Sequence, residues 1–426
     1  MPKVHASAAQ SAGELDQTFA LSGIQQLQFP GMRKTIGESV AVLPSGRIMV
    51  SATVIDAAGA SHYGLAQLLA DGDLDNAFGV DGYLHGQFAA GRSSHGGTLV
   101  VEASGAFWMS AALADTSGKL QQIIARFKPD GTLDAEFGTD QSGYRIVPMR
   151  IPALSNATGG HLTLAQSDPA KATADRLLFS TSKGGSGLLA RFFLNGEDDG
   201  DFAEHGWIRL TMPDLSITVH GVTQPRDGRI FVYGKTEVTN QGLVMAFDSA
   251  GAVATTFGQN GILLLNLRHA GASLESTVNH IVVQSAQRLL LIGYAVGSSA
   301  GEKRQHAFIS GILKNGEFDL DFNAGVPVIT AATDALDLRS WRAGFALDDN
   351  DGKRIVTVGQ TSHGERRLLT GGFLIDGAVD PAFDVEGTAR IEWTAQAACL
   401  QDSSVLVLGH KDGAAYVVRL LTAADG

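Results

Sequence analysis

The chain is short of several things, and each shortage excludes something. It has one cysteine in 426 residues, Cys399, so no intramolecular disulfide can form and no oxidising compartment is required. Cys399 stands in the apolar run Ala397-Ala398-Cys399-Leu400 and reads as a buried thiol. Charged residues make up only 18% against 44% hydrophobic ones, a balance that excludes a disordered chain. Long apolar runs are missing: no stretch approaches the ~18 residues of a membrane span, so no membrane insertion is expected. The first residues, MPKVHASAAQSAGELD, place no apolar segment behind their lysine, so they do not read as a cleaved export signal. Cytoplasm is the default compartment, with export that leaves the N-terminus intact still compatible. Basic residues are in deficit, 32 Lys and Arg against 44 Asp and Glu for a net charge of −12, so the chain should repel nucleic acid. Motifs of the familiar cofactor enzymes are also lacking: there is no Cys-x-x-Cys, His-Glu-x-x-His, phosphate-binding Gly-rich loop or nucleophile elbow. No cofactor is expected.

Glycine is abundant instead, with 52 residues that follow no three-residue period, so they signal many tight turns rather than collagen. The turns belong to a repeat. Gly13-Glu-Leu-Asp-Gln-Thr-Phe19, Gly72-Asp-Leu-Asp-Asn-Ala-Phe78 and Gly131-Thr-Leu-Asp-Ala-Glu-Phe137 share the pattern Gly, any residue, Leu, Asp, any two, Phe. Four further copies end at Phe202, Phe257, Phe322 and Phe383. The period of about 60 residues points to an array or a propeller. Between motifs the order of elements recurs: in the first repeat, short apolar runs occupy Ser39 to Leu43, Ile48 to Val54, Leu65 to Ala70 and Gly82 to Phe88. These are near-continuous apolar runs rather than alternations, which implies sheets covered on both faces. Radially stacked four-stranded blades meet that requirement.

The chain ends supply a test of closure. The last repeat offers three strands, near Gln396 to Leu400, Val405 to Leu408 and Tyr416 to Leu421, and then stops. The N-terminus offers a motif and one strand, Gly23 to Phe29, with no three strands before it. Joining the two completes a seventh blade and removes the free edges that an open array must cap. The expected fold is therefore all-β: a closed seven-bladed β-propeller with four antiparallel strands per blade, its last blade completed by the N-terminal strand. Residues 1–12 read as a flexible tail and residues 13–426 as a single domain. The cycle of apolar strand, Asp-Gly-Arg-Ile hairpin (Asp227 to Ile230), strand and Asp-Gly-x-Leu-Asp-x-x-Phe-Gly (Asp71 to Gly79) resembles the delta-60 repeat family of bacterial propellers and, more distantly, NHL-repeat propellers. The resemblance covers nearly the whole chain from Gly13 and implies a fold, not a chemistry. Asp198 replaces the motif Leu in repeat four, Ala254 replaces the Asp in repeat five, and Gln166 to Asp175 reads as an insertion into a hairpin.

The motif residues have structural roles available to them. Each motif Asp (Asp16, Asp75, Asp134, Asp199, Asp319, Asp380) lies three residues before the Phe, the separation at which a carboxylate caps the N3 amide of one helical turn. Each Phe reads as a buried wedge, and Gly79, Gly138 and Gly258 suit a positive-φ position after it. The acidic clusters Glu197 to Asp201 and Asp348 to Gly352 read as turns; a frame starting at Asp349 has no Glu at the twelfth position of a calcium loop.

Candidate function then falls on the loops. Tight hairpins and motifs should share one face of the disc, leaving the other to variable loops, where rigid scaffolds carry binding residues. That second face collects Arg33, Lys34, Arg150, Arg268 and Lys303, and the binding candidates Arg92, His95, Arg304, Arg339, Trp341, Arg366, His62 and Tyr63. They suggest a non-catalytic binding or scaffolding propeller that recognises a protein or a small anionic or glycan ligand. The alternative is a metal-dependent hydrolase, lactonase or lyase at the channel mouth, with His161, His220 and His280 near the starts of three consecutive first strands. Aligned on their hairpins, His161 and His280 take the place of Ser39, while His220 takes that of Glu38, and a one-residue offset should turn its side chain away. Apart from Glu38 and Asn279, the first strands offer few carboxylates or amides. A lectin is a third reading, but Trp108, Trp207, Trp341 and Trp393 do not occupy equivalent places, as one site per blade would require.

Overall fold

The computed structural model describes residues 11–423 apart from 139–140, 155–156, 172, 204, 270, 300–301, 335, 350–351, 364 and 384–390. Blade 1 is built from Lys34–Val42, Ile48–Ile55, Ser61–Leu68 and Tyr83–Gly86, and blade 2 from Ser94–Val101, Phe107–Ala114, Leu120–Phe127 and Tyr144–Ile146. Blade 3 comprises His161–Ala165, Arg176–Lys183, Ser186–Phe193 and Trp207–Leu210. Blade 4 comprises Ile217–Thr223, Ile230–Thr236, Gly242–Phe247 and Ile262–Leu264. Blade 5 has Glu275–Val283, Arg288–Ser299, Glu302–Leu313 and Val328–Thr330. Blade 6 shows Ser340–Asp349, Gly352–His363 and Glu365–Leu374, with the Ile391 carbonyl accepting the Leu368 N–H beside the third strand. Pairing is antiparallel throughout, and the first strands touch one another in a complete cycle, so they form the inner ring. The apolar second strands Ile48–Ile55 and Phe107–Ala114 are buried almost end to end, as sheets covered on both faces require.

Closure follows the expected route. Thr394–Gln401, Ser404–Lys411 and Ala414–Leu420 form three strands of blade 7, and Ile24–Leu27 adds the fourth by pairing with Ala415 to Val418. Of the stretch read as a tail, residues 1–10 lie outside the described residues. Ala12 is buried and bridges to Phe383, while the Gly13 N–H reaches the Leu421 carbonyl.

The motif Phe residues are wedges between blades, each no more than 5% exposed. Six of the seven are covered by the first glycine of the next motif: a Cβ on Gly72 would lie 2.6 Å from Phe19, and one on Gly131 would lie 2.5 Å from Phe78. Gly196, Gly251, Gly316 and Gly377 repeat this contact with Phe137, Phe202, Phe257 and Phe322. Beside the wedge, the amide after the Phe often donates to the carbonyl before the next motif glycine, as in Ala20 to Asp71, Ala203 to Ala250 and Gly258 to Asn315.

The motif Asp caps one residue earlier than its spacing suggests. Except at Asp199, its Oδ1 accepts the amide two residues on, as in Asp75 to Ala77 (3.1 Å) and Asp380 to Ala382 (2.9 Å), while the Phe amide bonds to the backbone carbonyl of the Asp. The turn is an Asx turn rather than an N3 cap. The other carboxylate oxygen holds an arginine: Arg47 to Asp75 at 2.6 Å, Arg419 to Asp16 at 2.7 Å, and likewise Arg126 to Asp134 and Arg288 to Asp319. Asp199, fully buried, takes two, Arg176 at 2.6 Å and Arg191 at 2.7 Å. Several of these guanidinium groups also lie over a motif Phe, such as Arg191 over Phe202 at 4.6 Å. Where Ala254 replaces the Asp, Arg229 turns to Asp227 at 3.0 Å instead. The other departure also has a reason, because Asp198 receives Arg145 (3.0 Å) and Arg150 (2.8 Å). Arg150 is thereby held to a motif residue instead of serving the variable-loop face.

Two outcomes follow. Deleting residues 1–10 should leave the melting temperature unchanged, whereas deleting residues 1–29 should lower it sharply by unpairing Ala414–Leu420; equal melting of the two truncations would refute strand closure. Asp199→Ala leaves Arg191 buried without its anion and should cost about 3–5 kcal/mol in urea unfolding, well above the ~1 kcal/mol of a lost cap.

Candidate functional site at the channel mouth

Inner strands of a propeller meet side by side around the axis, and here they share a local irregularity. Six of them shift register at one height: between Gly37 and Ser39, His95 and Thr98, Val219 and Gly221, Val278 and His280, Trp341 and Ala343, and Ala395 and Ala397. Each shift is a β-bulge, which leaves extra residues unpaired and re-aims their side chains. The extra residues include Glu38, His220, Asn279, Arg342 and Gln396, and blade 3 begins its pairing at the matching place with His161. The bulges lie in the part of each inner strand nearer the variable loops.

Together they line a cavity of about 880 Å³ at the channel mouth, with Glu38, His95, His161, His220, Asn279, His280 and Arg342 contributing polar groups and Val40 and Leu99 apolar ones. The one-residue offset expected to turn His220 away from His161 and His280 is cancelled by the bulge, and all three line the same cavity. Among the described residues, no three His, Cys, Asp or Glu side chains converge as metal ligands.

Hydrogen bonds between blades set the side chains. His220 Nδ1 lies 3.0 Å from the Val278 carbonyl and must donate to it, which leaves Nε2 of the neutral ring as an acceptor. His280 Nδ1 lies 3.3 Å from the Gly344 amide and must accept, so its proton sits on Nε2. Asn279 Nδ2 donates to the Trp341 carbonyl at 2.8 Å and to Ser340 Oγ at 3.2 Å. Ser39 Oγ accepts the Leu99 amide at 3.1 Å, the same bond that His280 makes one position round the ring. Thr53 donates to Glu38 at 2.8 Å. Burial pushes the Glu38 carboxyl above its usual range against that hydrogen bond. It also lowers His161 and His280 to about 4 each, with the charges of His220 and Arg342 adding to the effect on His161. Arg342 is exposed but lies in the lining of the cavity, and desolvation by the surrounding protein pulls the guanidinium below its usual range.

The binding residues expected from sequence are scattered. Of the eight, His95 alone lines the cavity. Trp341 is fully buried in the core that joins blades 5 and 6, and Tyr63 is 6% exposed and stacked on Phe88, so neither offers a ring to the surface. Arg92 is spent on the Ala114 carbonyl, Arg339 on Asp337 at 2.7 Å, and His62 on Asp56 at 3.2 Å. Arg304 pairs with Glu302 at 3.6 Å on the long second hairpin of blade 5, and Arg366 is exposed on blade 6. Sequence reasoning missed Arg342. A signal existed: it matches Glu38, His220 and Asn279 as the polar residue of an apolar first strand. It was hidden because the hairpin of blade 6, from Ala346 to Ile355, is longer than that of blade 1, from Val42 to Ile48.

With ring pKa values near 4 in the folded state and ~6.5 in the unfolded chain, His161 and His280 take up protons on unfolding in that window. Stability should therefore fall as pH drops from about 6.5 to about 4. Imidazole-resolved NMR titration should show both rings neutral at pH 6; a normal midpoint for either would contradict its enclosure.

A family model agrees with the fold. The family described as "Domain of unknown function (DUF5122) beta-propeller" matches residues 43–78 and 111–137, segments that run from within blades 1 and 2 to their motif Phe residues. No curated protein matches the chain. Among solved structures, the β-propeller domain of the Trilobed protease from Pyrococcus furiosus is 9% identical, covers 92% of this chain and 97% of its own, and has a TM-score of 0.44. A protein of unknown function from Dyadobacter fermentans is 11% identical over 82% of this chain and 98% of its own, with a TM-score of 0.39. A glucose dehydrogenase is 11% identical over 93% and 98%, with a TM-score of 0.43. The chain is a seven-bladed β-propeller.

Proposed function

We propose that this chain is a non-catalytic recognition propeller that takes its ligand at the mouth of the central channel, on the variable-loop side. One observation carries the reading: bulges at one height aim polar side chains from blades 1, 4, 5 and 6 into one cavity. Inter-blade hydrogen bonds hold several of those side chains in place, so a ligand would meet a largely preformed site. The finer reading from sequence, a charged outer loop face, has less support because most of its arginines are already engaged. Reading the site as a metal-dependent hydrolase would need a cluster of metal ligands, which the described residues do not form.

The test is retention of small molecules from a metabolite mixture by the full chain, read by mass spectrometry after ultrafiltration. Thr98→Trp fills the cavity from the inner strand of blade 2 without changing charge and should abolish retention while the fold persists by circular dichroism. Glu317→Lys, on the motif face, should change nothing. Retention that survives Thr98→Trp and disappears with Glu317→Lys would place binding on the opposite face.

A further inference from the structure

Two neighbouring blades use the bulge position in the same way, and the blade after them does not. In blade 4 the bulged His220 donates to the carbonyl of Val278, the residue before the bulge of blade 5. In blade 5 the bulged Asn279 does the same to Trp341 of blade 6. Blade 6 places Arg342 there, with five N–H donors, and among the described residues it makes no hydrogen bond or ion pair. Arginines packed into the motif layer each hold a carboxylate, as Arg47, Arg191, Arg288 and Arg419 do. Arg342 is a comparable fork directed into the cavity, and none of the carboxylates among the described residues pairs with it.

The charges around it limit what can fill the place. Among the described residues, Arg342 is the only Lys or Arg that lines the cavity, and Glu38 is the only Asp or Glu. A single negative charge on the ligand balances Arg342. A second would face Glu38 with no further cation to offset it. A planar carboxylate also matches the guanidinium fork in a two-bond pairing. The remaining polar atoms alternate in kind: an acceptor at His220 Nε2, a donor at His280 Nε2, and the ring nitrogens of His161, which makes no hydrogen bond among the described residues. Hydroxyl groups, which both donate and accept, suit such a mixed lining better than amines or bare hydrocarbon. Val40 and Leu99 add apolar wall for a carbon skeleton, and about 880 Å³ is ample for six or seven carbons.

We infer that the channel mouth binds a hydroxylated monocarboxylate of the sugar-acid class, its carboxylate paired with Arg342 and its hydroxyls among His161, His220 and His280. The inference rests on the channel-mouth reading and adds the chemistry of the ligand.

The experiment is calorimetric titration of the full chain with sodium glucuronate, sodium gluconate, glucose, glucose 6-phosphate and propionate. Glucuronate or gluconate should bind, glucose and propionate should bind at least about tenfold more weakly (1.4 kcal/mol), and Arg342→Gln should remove the preference for the acid. Arg342→Lys, which keeps the charge and loses the fork, should retain part of the affinity and guards against a folding defect in the first variant. The inference is overturned if neither acid binds at about 10 mM, if glucose binds as tightly as the acids, if glucose 6-phosphate binds more tightly, or if Arg342→Gln is without effect. Thr98→Trp separates the two levels: any probe that binds wild type and not Thr98→Trp preserves the channel-mouth reading even when the sugar-acid assignment fails. Binding of an acid equally by wild type and Thr98→Trp defeats both.

Discussion

The architecture depends on one contact made repeatedly: an aromatic ring at the end of each motif pressed on a glycine at the start of the next. A blade alone has two apolar faces and no means of covering either. The Phe fills the gap at one corner of the interface, and the following glycine permits the approach because it has no Cβ to occupy the same space. Since the same motif carries both partners, each repeat is wedge for one neighbour and seat for the other. Burying a phenylalanine contributes ~1.5–3 kcal/mol, and the contribution recurs at successive interfaces.

Around that wedge the protein spends its limited charge on order. Most motif Asp residues bond with one oxygen to their own turn and pair through the other with an arginine from a neighbouring strand, so a turn and a sheet are tied together at the rim. Exceptions support this account. The blade without the Asp redirects its arginine to Asp227, and the blade that carries an additional Asp, at position 198, attracts two arginines. The motif Asp residues are consequently committed to structure.

The channel mouth is arranged differently. There the blades meet through inner strands that bulge, and the bulged His220 and Asn279 reach across to backbone carbonyls of the next blade. These bonds tie blades 4, 5 and 6 together at the height of the cavity and at the same time line it with polar atoms. A scaffold fixed in this way loses little entropy when a ligand enters. Arg342, which makes no hydrogen bond or ion pair among the described residues, puts a guanidinium on one side of the mouth only, so the mouth is asymmetric despite the repetition of its frame.

Much of the frame was legible because its determinants are local. Gly, Asp and Phe at fixed spacing, apolar runs of strand length and turn residues between them specify a blade within about 60 residues. The incomplete repeats at the two ends specify closure without knowledge of any contact. What the chain did not disclose depends on residues distant in sequence and adjacent in space. Tyr63 and Trp341 sit beside variable loops in sequence but point into the core, since a strand alternates its faces and only packing decides which is inner. The arginine partners of the motif Asp come from other strands, up to 403 residues away for Arg419 and Asp16. The bulges that turn Glu38, His220, Asn279 and Arg342 into the channel are register shifts, defined only by the partner strand. Sequence by itself determined the repeat, the strands and the closure, because these follow from local period and from the count of strands at each end. The tertiary structure alone decided the site, because a ring of single residues, one from each blade, exists only once the blades have closed.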